Sequence, residues 1–335
     1  LAAARQSPIT IGGITVPAGR KATVELPIVR LPTETQLSLP LAVLRGMRPG
    51  PTVWLSGVIH GDELNGLEIS RRILSLLRPR QLAGTVLAAP IVNVLGMLTG
   101  SRYLPDRRDL NRSFPGRAAG SLAARMAHLV MTEIVDRCDA GIDLHTGSDH
   151  RTNLSQVRAQ LDDPATRELA EVFAAPISVH SPSRDGSLRQ VCAERGIPVL
   201  VYEGGEAHRF DEPAIDAGVA GVLRVLAQLG LINPTVVEVP EPAGRTKVVR
   251  HTTWVRARRS GILRAAAHLG QEVQRGQHLG LISDAFGGHR AVVRAPFAGM
   301  VIGQRLHPLV NRGDALVHLA DLNPEARGRA ARPPS

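Results

Sequence analysis

The densest chemistry in the chain is the tetrapeptide His60-Gly61-Asp62-Glu63. His60 and Glu63 form an HxxE pair on a strand-to-helix turn, a spacing that lets both side chains reach one metal ion. A catalytic zinc site needs three protein ligands of the His/Glu kind and one open position for water. His145, in Asp143-Leu144-His145-Thr146-Gly147 at the end of its own strand, supplies the third. HxxE alone carries little weight among 12 histidines, most of which serve surface or core roles. Paired with a strand-terminal Asp-Leu-His, it carries much more. A third strand, GIPVLVYE, ends in Glu203. In open α/β sheets, ligand sites lie beyond the carboxyl ends of the strands.

The elements that must position these residues alternate. Residues 9–49 read as β-rich, and 50–59 as a buried strand. A helix pattern over 63–78 stops at Pro79, and a buried strand covers 84–93. A helix over 119–136 precedes the strand at 140–145 and a long loop. Helix, strand and helix alternate through 164–203, and a last helix fills 213–229. This order predicts an α/β fold with a mixed, largely parallel sheet and helices on both faces.

The character changes after the PEPAG stretch at 240–244. Residues 246–320 hold short β-like runs, many glycines and a half-repeat in which 260–284 resembles 298–321. Gly261 matches Gly299, Gly276 matches Gly313, and Leu279 matches Leu316. Such a repeat predicts a small all-β domain that resembles the biotinyl/lipoyl carrier barrel. A carrier needs a lysine on an exposed hairpin, and none follows Lys247. The division is then a catalytic domain over 1–240, a small β domain over 241–322, and a polar, Pro-rich tail over 323–335 that is expected to be disordered.

Composition narrows the function classes. The chain has 335 residues, enough for roughly two domains. Its 40 basic and 30 acidic residues leave a formal charge of +10. Only Lys21 and Lys247 are lysines, and the arginines are scattered. A nucleic-acid binder more often shows a basic stripe with interleaved aromatics, and aromatics are 3% here. Nucleic acid is therefore not an expected partner. No stretch reaches the ~18 apolar residues of a membrane span. The opening LAAARQSPIT lacks an apolar core of signal length, and a cytoplasmic protein is the expectation. Cys138 and Cys192 sit in apolar stretches without a CxxC pair, so sulfur-ligated zinc is not expected.

Four motifs occur in order: SGVIHGDELNG (56–66), DLNRSFPG (109–116), DLHTG (143–147) and VYEGG (201–205). Across roughly 40–232, the chain resembles the succinylglutamate desuccinylase/aspartoacylase family, a branch of the zinc carboxypeptidase-like amidohydrolases. The resemblance implies one zinc ion per chain on His60, Glu63 and His145. It implies that Glu203 acts as general base and then general acid, and that Arg102 stabilises the oxyanion. Asn111 and Arg112 would grip a substrate carboxylate, and Asp109 would orient a histidine ligand. Arg189 is a weaker match to a further carboxylate-binding arginine. Asp143 shares a strand face with His145 and is a candidate to support it. Arg151, Asn153 and Arg158 read equally as pocket lining or ordinary loop polarity. Glu206 and His208 are assigned to a rim loop past the strand end. The histidines after residue 250, His318 among them, are expected at the surface or on hairpins.

The chain departs from the family where a tyrosine would cap the site. Tyr202 should point to the face opposite Glu203, and the C-terminal domain has no tyrosine. The implied activity is zinc-dependent removal of an acyl group from an N-acyl amino acid or a related small amide. A carboxypeptidase acting on short peptides is the alternative, and an inactive binding scaffold is a lesser one. A carrier-like domain folded over the mouth would favour small substrates. Oligomeric state is left open.

Overall fold

The computed structural model describes residues 6–148, 150–182 and 184–323. The expected tail, Asn323 apart, lies outside the described residues. The chain opens with β1 (Ile9–Ile11) and β2 (Ile14–Val16), then β3 (Arg20–Arg30), β4 (Gln36–Arg45) and β5 (Arg48–Gly57). Next come α1 (Asn65–Leu76), β6 (Ala83–Ala89), α2 (Val94–Leu98), α3 (Leu122–Glu133), β7 (Ala140–Gly147) and β8 (Arg151–Ala159). This part of the chain closes with α4 (Pro164–Phe173), β9 (Ile177–His180), α5 (Leu188–Glu194), β10 (Val199–Glu206) and α6 (Glu212–Gln228).

The central strands β6, β5, β7 and β10 run parallel, and β3, β4 and β8 are antiparallel additions. Burial on both faces explains the unbroken apolar runs in the parallel strands. Every residue of β7 is buried. Alternate residues feed two cores, one on each face of the sheet. Val53 and Leu55 of β5 join Ile69 and Ile73 of α1, with Phe173 and Leu226. Trp54, between them, joins Leu41, Met126, Val130 and Leu188 on the other face. The helices start where capping chemistry places them: Ser121, Asp163, Ser187 and Asp211 each accept a backbone N–H of the first turn.

One strand departs from the expected order. The segment after β7 is not a long loop, because β8 begins at Arg151 and pairs antiparallel with β10. Its polar residues Asn153, Gln156 and Arg158 hid the strand, since they face a cavity or a neighbouring strand instead of an apolar core. β10 also runs on to Glu206, so Glu203 is not its last residue and Glu206 does not lie past its end.

The C-terminal segment contains β11 (Lys247–Val249), β12 (Thr252–Arg256), β13 (Gly261–Ala265), β14 (Glu272–Val273) and β15 (His278–Ser283). β16 (Ala291–Arg294), β17 (Gly299–Arg305), β18 (Leu309–Val310) and β19 (Ala315–Ala320) complete it. The half-repeat is visible as exchanged pairing. β13 pairs with β15 and takes β18 from the other half, while β17 pairs with β19 and takes β14. Gly276 and Gly313 occupy equivalent turns at φ +81° and +94°, where glycine is favoured. The two halves share a core that includes Leu263, Ile282, Val301 and Leu319.

These strands are not confined to a separate sheet. β17 pairs with the first half of β8, with Gly303 opposite Asn153 and Arg305 opposite Arg151. The second half of β8 pairs with β9, and β9 takes β11. Residues beyond 240 thus extend the sheet that carries the site. No described helix is long and apolar enough to cross a membrane. Cys138 and Cys192 are buried and free.

Candidate metal and catalytic site

His60 and Glu63 sit in the turn between β5 and α1. Glycines let that turn press against its neighbours: a Cβ on Gly61 would fall 2.0 Å from the Gly96 backbone, and one on Gly57 2.7 Å from Gly66. His60 Nδ1 lies 2.8 Å from Glu63 Oε1, and His145 Nδ1 lies 2.8 Å from Glu63 Oε2. Three ligand atoms, one from each residue, lie within 4.8 Å of one another, and all three side chains are buried. The outer ring nitrogens are also engaged. His60 Nε2 is 3.2 Å from Asp109 Oδ1, and His145 Nε2 is 2.8 Å from Asp143 Oδ2. Ser56 Oγ in turn donates to Asp143 at 2.7 Å. A ring that donates its outer N–H to a carboxylate presents the other nitrogen's lone pair inward, the arrangement metal-binding histidines adopt.

The surrounding carboxylates favour positive charge at this trio. Burial disfavours the charged form of His145, yet Asp143 and Glu63 outweigh it and hold its pKa well above the ordinary value. His60 is raised the same way by Glu63 and Asp109. Glu63 is fully buried, which opposes ionisation, yet the two histidines keep its carboxyl well below the usual range. Two imidazoles and one carboxylate, buried and backed by further carboxylates, form a donor set suited to zinc.

Arg102 stands at the edge of this trio. Its Nη2 donates to Asp109 Oδ2 at 2.9 Å, and its Nη1 donates to Ser148 Oγ at 3.0 Å and lies 3.3 Å from Glu63 Oε1. Asp109 also accepts the Asn111 backbone N–H, and its pKa is pushed down against burial by His60 and Arg102. Asn111 and Arg112 lie in the single turn that follows. Asn111 Oδ1 accepts the Leu188 N–H at the start of α5, tying the turn to that helix. Arg189, on α5, donates through Nη2 to Ser181 and Pro182, and its buried Nη1 has no hydrogen-bond partner among the described residues. Burial, then Arg158 and Arg184, draws its pKa down to about 10.

Glu203 lies on β10 directly opposite His145 of β7. Asn153 Nδ2 donates to its Oε2 at 2.7 Å, and Arg158 Nε stands 3.7 Å from its Oε1. Tyr202 points the other way, into the core, where its hydroxyl donates to Ala214 O at 2.6 Å.

A cavity of about 610 Å³ joins these groups, within the ~300–1,000 Å³ usual for small-ligand sites. Every residue assigned to the site lines it except Asp109, which lies behind His60 and Arg102. Arg151, Asn153 and Arg158 line it from a strand instead of a loop, and His208 reaches its rim. Arg184 and Trp254 are among the lining residues that the sequence does not single out. Trp254 comes from β12 and stacks on His318 with centroids 4.6 Å apart and planes 7° apart, while Arg151 sits over the Trp254 ring at 5.4 Å. His318 is consequently buried, contrary to the surface placement expected for it. No local signal marks Trp254, because its contact with the site bridges about a hundred residues of chain.

Residues 49–229 match the succinylglutamate desuccinylase/aspartoacylase catalytic domain. The N-alpha-acetyl-L-2,4-diaminobutyric acid deacetylase of Halomonas elongata is 28% identical over 285 residues, which cover 82% of this chain and 83% of the relative. The crystal structure of a succinylglutamate desuccinylase/aspartoacylase from Rhodobacter sphaeroides superposes with a TM-score of 0.79 at 28% identity, covering 90% of this chain and 94% of that one. A product-bound ectoine utilization protein from Ruegeria pomeroyi shares the fold, with a TM-score of 0.82 at 24% identity over 94% of this chain and 99% of its own.

Proposed function

The chain belongs to the succinylglutamate desuccinylase/aspartoacylase family, and from that premise we propose that it is a zinc-dependent amide hydrolase that removes the acyl group from an N-acyl amino acid or a related small amide. One observation carries the reading. The buried trio His60, Glu63 and His145 can converge on one ion, and Glu203 stands in register beside it. The Halomonas elongata relative, named as a deacetylase of an acetylated amino acid, supports the substrate class.

In this reading His60, Glu63 and His145 hold one zinc ion per chain. When bound, the ion supplies Lewis acidity that polarises the amide carbonyl and makes water acidic enough to attack near neutral pH. The remaining work falls to side chains. Glu203 takes a proton from the attacking water and returns it to the leaving nitrogen, so the amine departs neutral. Arg102 donates to the former carbonyl oxygen as negative charge gathers there, favouring the transition state over the ground state. Asn111 and Arg112 hold the substrate carboxylate, the arginine with two parallel N–H groups, which fixes the scissile bond in place. Nη1 of Arg189, without a hydrogen-bond partner among the described residues, offers a further donor to an anionic substrate group.

The C-terminal segment takes the role of a carrier-like barrel without a modifiable lysine. Through Trp254 it walls one side of the cavity and limits entry to small substrates. Residues 1–240 form the catalytic unit in this reading, and a cytoplasmic setting suits its small polar substrates. The test is a screen of N-acetyl, N-succinyl and N-formyl amino acids with zinc-loaded protein, detecting released amine. Release that depends on the ion and on Glu203 supports the proposal. Cleavage of C-terminal residues from short peptides, with acyl amino acids untouched, would overturn it.

A further inference from the structure

Asn153 meets the proposed proton acceptor. Its side chain is buried, 7% exposed, and its Nδ2 donates to Glu203 Oε2 at 2.7 Å. An ionised carboxylate only accepts hydrogen bonds, so the amide must turn its NH₂ toward Glu203 and its oxygen away. That oxygen faces β17. A Cβ built on Gly303 would lie 3.0 Å from Asn153 Oδ1, 3.1 Å from His318 Cβ and 3.4 Å from the Trp254 ring. Glycine at 303 leaves the room the amide occupies.

The backbone holds this arrangement on both sides. Asn153 pairs with Gly205 of β10 on one edge and with Gly303 of β17 on the other. The β8–β10 ladder shifts register between Glu203 and Gly205. Glu203 faces Gln156, so an unshifted ladder would set Leu154 opposite Gly205. The one-residue shift puts Asn153 there and brings its amide to the face where Glu203 stands. Re-aiming one side chain beside a site is a recurrent use of such bulges. Gly205, beside the shift, has φ +73°, a left-handed backbone that favours glycine.

The two oxygens of Glu203 are thus unequal. Oε2 is taken by a short hydrogen bond, whereas Oε1 has Arg158 Nε only at 3.7 Å, beyond hydrogen-bonding distance. We propose that Asn153 is a positioning residue that holds Glu203 Oε2, leaving Oε1 as the oxygen that receives the proton, and that β17 keeps Asn153 in place through Gly303. The inference rests on Glu203 being the proton acceptor. It gives the C-terminal segment a part in catalysis distinct from walling the cavity. A carboxylate free to rotate would spend much of its time misplaced, and a displacement of ~1 Å can cost about 10²-fold in rate.

The test uses the full-length, zinc-loaded protein and an N-acetyl amino acid it hydrolyses, with Glu203→Gln as reference. Asn153→Ala should lower kcat by about 10- to 100-fold while KM stays within about twofold, since an interaction that matters only in the transition state has gone. Zinc content and melting temperature should stay near wild type. Crystals of the variant should show the Glu203 carboxylate turned from its present position. Asn153→Asp is nearly isosteric and sets a second carboxylate against Glu203, so kcat should fall further. This variant decides the matter if Asn153→Ala does not fold. Gly303→Ala, from the other side of the sheet, should push the amide and lower kcat less.

Wild-type kcat in Asn153→Ala or Asn153→Asp, with Glu203→Gln inactive, would overturn the positioning role and leave Glu203 as the base. Wild-type kcat in Gly303→Ala would remove β17 from it. If Glu203→Gln itself kept full turnover, the base assignment would fail instead. The crystal structure of Asn153→Ala then decides the positioning claim: an unmoved Glu203 overturns it, and a displaced one upholds it.

Discussion

Glu203 and His145 occupy one rung of the sheet, directly opposite each other on the parallel strands β10 and β7. Two rungs earlier, Val201 faces Asp143, the carboxylate that holds the outer nitrogen of His145. Neighbouring strands lie about 4.8 Å apart, so this pairing sets the distance between the proposed proton acceptor and the proposed metal ligand without help from loops. Groups held by rigid strands need no reordering when a substrate arrives. The loops supply the rest: the turn after β5 brings His60 and Glu63, and the Asp109–Arg112 turn brings Asn111 and Arg112, the proposed carboxylate clamp.

Glu203→Gln keeps size and shape and removes the proposed proton acceptor. The variant should retain its zinc and lose at least ~10²-fold in kcat. Elemental analysis beside steady-state kinetics checks this. Loss of zinc with normal turnover per remaining ion would make Glu203 a ligand instead of a base.

His145→Ala removes one donor from a three-residue set and leaves Glu63 and Asp143 buried without their shared partner. Purified wild-type protein should carry about one zinc per chain, as a three-ligand catalytic site requires. The variant should carry almost none and be inactive. Full zinc occupancy in it would refute the assignment.

Much of this site was legible because its residues fall at the ends of strongly patterned strands. HxxE after β5 and Asp-Leu-His within β7 need only local spacing and a parallel sheet to converge. β8 was not legible, because Asn153, Gln156 and Arg158 turn polar groups toward a cavity and a neighbouring strand, which erases the usual alternation. The length of β10 was masked by Gly204-Gly205, a pair that ordinarily marks a strand's end but here marks a register shift. Trp254 and the burial of His318 depend on which strand of a distant segment meets β8, and no short-range pattern encodes that pairing.

Gly141 tests how tightly the sheet is packed under the site. A Cβ there would lie 2.1 Å from the ring of Trp54, a fully buried side chain on the neighbouring strand. Gly141→Ala should therefore cost about 1–3 kcal/mol of stability, the usual range for overpacking a filled core. Denaturant unfolding measures it, and a change below ~0.5 kcal/mol would show that the Trp54 ring has room to move.

His318 should make the protein sensitive to mild acid. Burial, then Arg158 and Arg151, pushes its pKa down to about 3, while an unfolded chain protonates histidine near ~6.5. Below that pH the unfolded state takes up a proton that the folded state refuses, so stability falls as pH drops from 6.5 toward 3. His318→Phe removes this dependence and preserves a ring against Trp254. Between pH 7 and pH 5 the variant should lose about 2 kcal/mol less stability than the wild type. Equal losses in urea unfolding at the two pH values would mean that His318 is not held neutral.

Truncation near Pro240 examines whether the C-terminal segment can be removed as a unit. The Pro-rich linker there invites a cut, and a domain that only covered the cavity would come away cleanly. The strand pairing argues otherwise. The cut removes β17 from the Arg151–Asn153 half of β8, and β11 from β9. Two bare strand edges would then face solvent, with unpaired N–H and C=O groups ready to pair with other chains. Ile177, Val179 and Leu154 would also lose Ile302, Met300 and Ala320, which pack against them. The shortened protein should therefore aggregate or elute as high-order oligomers in size-exclusion chromatography, and what remains soluble should hold little zinc and little activity. A monomeric, zinc-loaded truncation with wild-type kcat on an N-acetyl amino acid would show that β8 keeps Asn153 and Glu203 in place alone. The segment would then be a removable cover and not part of the catalytic sheet.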